Sequence, residues 1–162
     1  MDISQFSGWL EQQAFAVAIT ESTWMFPAIE VVHVFALALV AGSIAMVDLR
    51  LLGWSNKKRP VSDVIAQFLP VTWISFVFAA ATGALLFSSH ATKYYENFPF
   101  RLKIICLLLA GVNMLVFHFL TQRRIADWDT GTTPPGARMA GATSLLLWVT
   151  IVAAGRWIGF TT

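Results

Sequence analysis

The sequence predicts an all-α integral membrane protein: a four-helix bundle preceded by an amphipathic helix lying in the membrane interface. Three observations carry this. The 162 residues are 57% apolar and only 12% charged, about half the charged fraction of a soluble domain. The mean hydropathy is +0.66. Four runs lack any Asp, Glu, Lys or Arg: Val31–Val47, Val64–Gly83 (continuing to about Thr92), Ile104–Gln122 and Met139–Gly155. At about 1.5 Å per residue, a hydrocarbon core of ~30 Å needs about 17–25 apolar residues. Each run is long enough, and none carries the polar stripe of a soluble helix.

Each element follows from local signals. In 4–20, Phe6, Trp9, Leu10, Ala14 and Val17 recur at three- and four-residue steps between Gln5, Glu11, Gln12 and Gln13, the pattern of an interfacial helix. A frayed arm is the alternative. Glu11 and Gln12, with no early Lys or Arg, argue against a signal peptide. Pro27 suits a first helical turn and opens transmembrane helix 1, expected over 27–52. A basic turn, Gly53 to Pro60, leads to helix 2 over 63–89, with Pro70 inside it. An aromatic loop from His90 to Pro99 precedes helix 3 over 100–124. The polar loop from Asp127 to Gly136 contains Pro134-Pro135, which stops a helix. Helix 4 is expected over 137–160, and the whole chain, 1–162, reads as a single membrane domain.

Charge gives the orientation. The side holding both termini (side A) carries Lys93, Arg101, Lys103 and Arg156. The side holding the 1–2 and 3–4 loops (side B) carries Arg50, Lys57, Lys58, Arg59, Arg123, Arg124 and Arg138. The positive-inside rule then puts side B in the cytoplasm and both termini in the periplasm of a bacterial inner membrane. Trp24, Trp54, Trp73 and Trp157 lie near run ends, as an aromatic belt would place them. The net charge is only +2 and the basic residues are dispersed, so nucleic acid is not an expected partner. Cys106 is the only cysteine, which excludes an intrachain disulfide and any Cys-based zinc or iron–sulfur centre.

Ionisable groups at membrane depth are functional candidates by default. His33 is the sharpest, one turn inside helix 1 and three residues after Glu30, so that both share a helix face. Its imidazole needs a partner or a metal. It reads either as an axial haem ligand with Glu30 nearby, or as a histidine bonded to another helix. His90, just beyond helix 2, can approach His33 from the same side and sandwich a haem with it, or else face water. His118 lies about 21 Å from the side A edge of helix 3, whereas His33 lies about 3 Å inside. They are therefore not expected to pair; His118 is left to a second site, a proton path or a neighbouring helix. Lys103 and Arg156 can neutralise haem propionates or snorkel to headgroups. Asp48-Leu49-Arg50 is read as structural, each charge pairing with another helix or the headgroups. Gly42-Ser43, Gly83-Ala84 and Gly111 are expected to allow close helix contact. The scattered methionines make a poor copper-thioether array.

Helix 1 reads Glu30-Val-Val-His33 through Gly42-Ser43 to Asp48-Leu49-Arg50. Helix 3 opens on Arg101-Leu102-Lys103, with His118 fifteen residues after the lysine, and helix 4 closes on Gly155-Arg156-Trp157. From about 24 to 160, this resembles small bacterial four-helix membrane proteins of unknown function related to the HemJ-type protoporphyrinogen oxidases and the CopD-type copper-resistance domain. In the HemJ-type group the helix 1 histidine and helix 3 lysine are the functional pair, associated with haem b; the resemblance carries these roles to His33 and Lys103. This chain departs from that group in its N-terminal extension and short first loop.

The leading expectation is a membrane b-type cytochrome that binds haem b near the periplasmic face. His33 and His90 are the candidate ligands, with Lys103, Arg156 and Glu30 around the cofactor. It would transfer electrons between a quinone or an enzyme and a periplasmic redox partner. The alternatives are a HemJ-like porphyrinogen oxidase, a copper-handling membrane protein with His33, His90 and Glu30 as ligands, and a structural membrane subunit. A homo-oligomer is compatible with the small-residue faces.

Overall fold

The computed structural model describes residues 3–55 and 58–161, and every described element is helical. Lys57 of the basic turn lies outside the described residues. The order is α1 (Ile3–Glu11), α2 (Ala14–Glu21), α3 (Met25–Leu51), α4 (Val61–Ser89), α5 (Ala91–Glu96), α6 (Phe98–Val116), a π-helical turn (Phe117–Thr121), a 3-10 segment (Gln122–Asp127) and α7 (Pro135–Thr161). Four spans are long and apolar enough to cross a membrane: α3, α4, α6 with its extension to Asp127, and α7. Their outer faces are apolar and exposed, with Phe35 68%, Leu108 67% and Leu146 70% accessible, as a lipid-facing surface requires.

The expected interfacial helix is instead two short helices, α1 and α2, broken at Gln12-Gln13. They pack on the side A ends of α4 and α5. The Glu11 carboxylate accepts the Thr92 amide at 2.8 Å, and Thr20 Oγ1 donates to the Ser89 carbonyl at 3.3 Å. The polar residues that suggested a water-facing stripe thus partly serve to dock this segment.

Capping chemistry sets the ends of the long helices. Ser22 Oγ accepts the Met25 amide at 3.2 Å. Gly53, at φ +76°, terminates α3; its N–H reaches Arg50 O at 3.0 Å and the Trp54 N–H reaches Leu49 O at 2.9 Å. This pair of bonds is the Schellman arrangement, which favours glycine at the left-handed position. Asn97 caps α6, accepting the Phe100 amide at 3.2 Å while its amide donates to Thr161 Oγ1 of α7 at 2.9 Å.

The long helices form two pairs, α3 with α4 and α6 with α7, joined mainly through α3 and α7. Val40, Cys106, Trp148 and Ile151 make the central core between α3, α6 and α7. A second cluster, Leu51, Val61, Ile65 and Ala137, seals side B; Phe117, Ile125 and Trp128 pack against it. Helix 3 was expected to run unbroken to Arg124, but the π turn and 3-10 segment intervene. Phe117 of that turn and Ile125 of the 3-10 segment both pack against the side B cluster.

Close approach occurs at one of the expected glycines, Gly83, and at one not expected, Gly141. Gly42 and Gly111 face open space. Gly141 of α7 does not: a Cβ there would lie 3.1 Å from Leu51 Cβ and 3.2 Å from the Asp48 carbonyl oxygen. Because one neighbour is backbone, it cannot yield. Gly141→Val is expected to destabilise the bundle by about 1–3 kcal/mol, read as an earlier thermal transition in detergent, with Gly42→Val as the mild control.

Asp48 and Arg50 are both buried, 4% and 3% accessible. Asp48 bonds to Ser144 of α7, and its Oδ2 has no partner. Arg50 donates to the Arg59 carbonyl at 3.0 Å and to the Asp129 carbonyl at 3.5 Å, tying the side B loops together. Asp129 in turn accepts the Ser62 amide at 2.8 Å and the Ser62 hydroxyl at 2.6 Å, at the start of α4. These hydrogen bonds hold its carboxyl below the usual carboxylate range. A carboxyl depressed in the folded state stabilises above its unfolded pKa and loses that contribution as pH falls through its folded pKa. Asp129→Asn is therefore expected to lower stability by about 1 kcal/mol at neutral pH. The gap between variant and wild type should close as melting curves are taken below pH ~4.

Candidate functional site

The site grows from the polar side chains near the side A half of the bundle. His33 on α3 is half-buried against α4. Its Nδ1 lies 3.0 Å from Thr82 Oγ1. The Thr82 hydroxyl donates to the Phe78 carbonyl at 2.6 Å, so its oxygen accepts the proton from His33. That network assigns the Nδ1–H tautomer. Nε2 then keeps the lone pair, the form in which a histidine ligates a metal.

Gly83 gives the ring its place. A Cβ at Gly83 would lie 3.0 Å from His33 Cε1. Lys103, one turn into α6, has the matching arrangement on α7: its Nζ lies 3.6 Å from where a Gly155 Cβ would stand. Lys103 is half-buried. Its charge acts on His33. An imidazole seated on a glycine of α4 and an ammonium seated on a glycine of α7 thus lie close enough for the charge to act on the ring.

The other candidates are placed differently. His90 stands between α4 and α5, eight residues beyond Thr82, or about 12 Å further along the helix axis. By that spacing the two rings are offset along the bundle. His90 Nδ1 lies 3.1 Å from Ser89 Oγ, and its ring meets Phe26 and Tyr94 edge-on at centroid distances of 5.8 and 6.4 Å. Glu30 is exposed, and its charge acts on Tyr94. Burial first, and then Glu30, push the Tyr94 phenol above its ordinary value. Arg156 is exposed and lies 4.8 Å over the Phe160 ring of its own helix. His118 is exposed at the π turn, with Nδ1 3.0 Å from Gln122 Oε1, remote from the side A groups. Among the described residues, no three of His, Cys, Asp and Glu gather as they would around a metal ion.

Residues 11–161 match the model of a family of unknown function, DUF6644. The chain belongs to that family. The DUF6644 region takes in every side A candidate: Glu30, His33, His90, Lys103 and Arg156. No curated protein and no solved structure matches the chain. Within the DUF6644 region, Thr82, Gly83 and Gly155 hold the His33–Lys103 pair, and reading along the chain did not single out Thr82 or Gly155 for this. A Thr-Gly dipeptide inside an apolar span was the available signal.

Proposed function

We propose that this chain is a membrane haem b protein serving electron transfer, with His33 as the residue that would hold the iron. It would sit in a bacterial inner membrane with both termini in the periplasm, as the distribution of basic residues favours. The observation that carries the reading is the His33–Thr82–Gly83 arrangement opposite Lys103. A histidine fixed through Nδ1 offers Nε2 to a metal, and a half-buried cation suits an anionic group. The donor set therefore fits haem: one imidazole for the iron and one ammonium for a propionate. Arg156, exposed at the same end, is the second cation available. Bound haem supplies a one-electron iron couple, whose potential the axial ligand and burial set. The resemblance of His33 and Lys103 to the functional pair of the HemJ-type proteins points the same way.

The protein's own groups then have separate tasks. Thr82 orients the ring, Gly83 and Gly155 make room, and the apolar α3–α6–α7 core excludes water. His90 is not assigned to the iron, because of its offset along α4. The test is the haem-to-protein ratio of the full chain, purified in mild detergent from cells given haem precursor. Near-stoichiometric haem in wild type and His90→Ala, with loss in a still-folded His33→Ala, is the expected result. Loss in His90→Ala as well would show the two imidazoles sharing one iron. Wild type free of haem would contradict the proposal.

A further inference from the structure

A second site lies nearer the side A surface. Phe26, His90, Lys93 and Tyr94 line a cavity of about 170 Å³. That is below the ~300–1,000 Å³ of sites for larger ligands, so it has room for a single substituted ring and not for a haem. We infer that this cavity binds the headgroup of a membrane quinol or quinone. The inference deepens the electron-transfer reading and rests on it for its purpose, because it names the chemical class of the redox partner.

The chemistry of the lining is what a quinol ring needs. Ser89 Oγ donates to the Leu86 carbonyl at 2.8 Å, so it accepts from His90 Nδ1. His90 Nε2 therefore keeps a lone pair that can accept a quinol hydroxyl. Lys93 and the Tyr94 phenol are donors for the oxygen across the ring. Tyr94 stays a donor at neutral pH, since burial and Glu30 both favour its protonated form. Phe26 and Tyr94 supply aromatic walls, which favour a flat ring. Tyr94 is itself fixed by a stack with Phe87 and Phe100, at centroid distances of 6.4 and 5.7 Å.

Two features favour a quinone over a phospholipid headgroup. The cavity carries one full cation, Lys93, whereas a phosphate is best held by several charged donors. The cavity also sits where α3 begins and α4 ends, at the boundary of two membrane-length helices. Exposed Trp24, Tyr95 and Phe98 stand around that end, so an isoprenoid tail has an apolar path into the bilayer.

The test is photolabelling of the full chain in nanodiscs with an azido-substituted short-chain benzoquinone, followed by peptide mapping. Label on 24–30 and 90–96, displaced by excess decyl-chain benzoquinone, is expected. Tyr94→Phe and His90→Leu should each weaken that competition about tenfold while keeping the helical content of wild type. Label elsewhere, or label that the quinone does not displace, would overturn the inference. Displacement by phosphatidylglycerol but not by the quinone would overturn it in favour of a headgroup site. Running the same labelling on His33→Ala separates the two proposals. Label retained in haem-free His33→Ala would show the quinone site standing by itself, and label on a wild type that takes up no haem would defeat the haem reading alone. A haem-loaded chain without specific label would do the reverse.

Discussion

Gly83→Val is expected to strip haem from the protein while leaving its four long helices in the membrane. The Cβ would already stand 3.0 Å from His33 Cε1, and valine adds two methyl groups beyond it. The ring cannot withdraw without giving up the 3.0 Å bond to Thr82 that orients it. The steric change falls at one helix contact rather than in the central core. Circular dichroism and the elution position in detergent should therefore stay near wild type, while haem content falls to a small residue. Thr82→Val isolates the orienting bond from the steric effect. Outer partners of metal-binding histidines are typically worth about 10–100-fold in affinity, so Thr82→Val should weaken haem binding by that order. Titration of the apoprotein with haemin measures both. Unchanged affinity in both variants would mean that the ring's seat on α4 has no part in binding.

Lys103→Glu should produce the second large loss. The substitution replaces a half-buried cation with an anion where a propionate is proposed to lie. Removing one charge-assisted hydrogen bond is on the order of 1.5–3 kcal/mol, or roughly tenfold to a hundredfold in affinity; the reversed charge adds repulsion. Lys103→Gln should lose less than Lys103→Glu, and Lys103→Arg should retain the most. A role confined to lipid headgroups predicts a different series. All three variants would then bind haem as wild type does, because a snorkelling side chain acts outside the bundle. Haem affinity across the series, measured by the same titration, separates the two.

The architecture was legible because apolar run length is a local property. The four charge-free runs correspond to α3, α4, α6 and α7. The ends were less legible, and for specific reasons. Helix α4 begins at Val61 rather than 63, where Asp129, remote in sequence, caps Ser62. Pro135 was read as part of a helix-stopping pair, yet it is the first residue of α7, a position where proline's missing N–H costs nothing. The two-helix N-terminus was hidden because periodicity alone does not reveal the break at Gln12-Gln13.

The site was legible only in part. His33 and Lys103 stood out because charged or ionisable groups are costly at membrane depth. Their seats on Gly83 and Gly155 did not, since each contact joins different helices and depends on rotation about the helix axis. The same dependence misdirected some of the packing glycines. Gly83 makes the expected close approach, but Gly42 and Gly111 face open space, and Gly141 meets Leu51 and Asp48 instead. The level of His90 relative to His33 likewise depended on which residue of α4 meets His33. Thr82 is that residue, and it sets the offset between the two imidazoles.

The most direct measurement is a reduced-minus-oxidised visible spectrum of the purified full chain, recorded for wild type and His33→Ala after equal haem supply. The account predicts a Soret difference band in wild type that is lost in His33→Ala while the variant stays folded. A flat wild-type spectrum, or a band of equal size in His33→Ala, would contradict it.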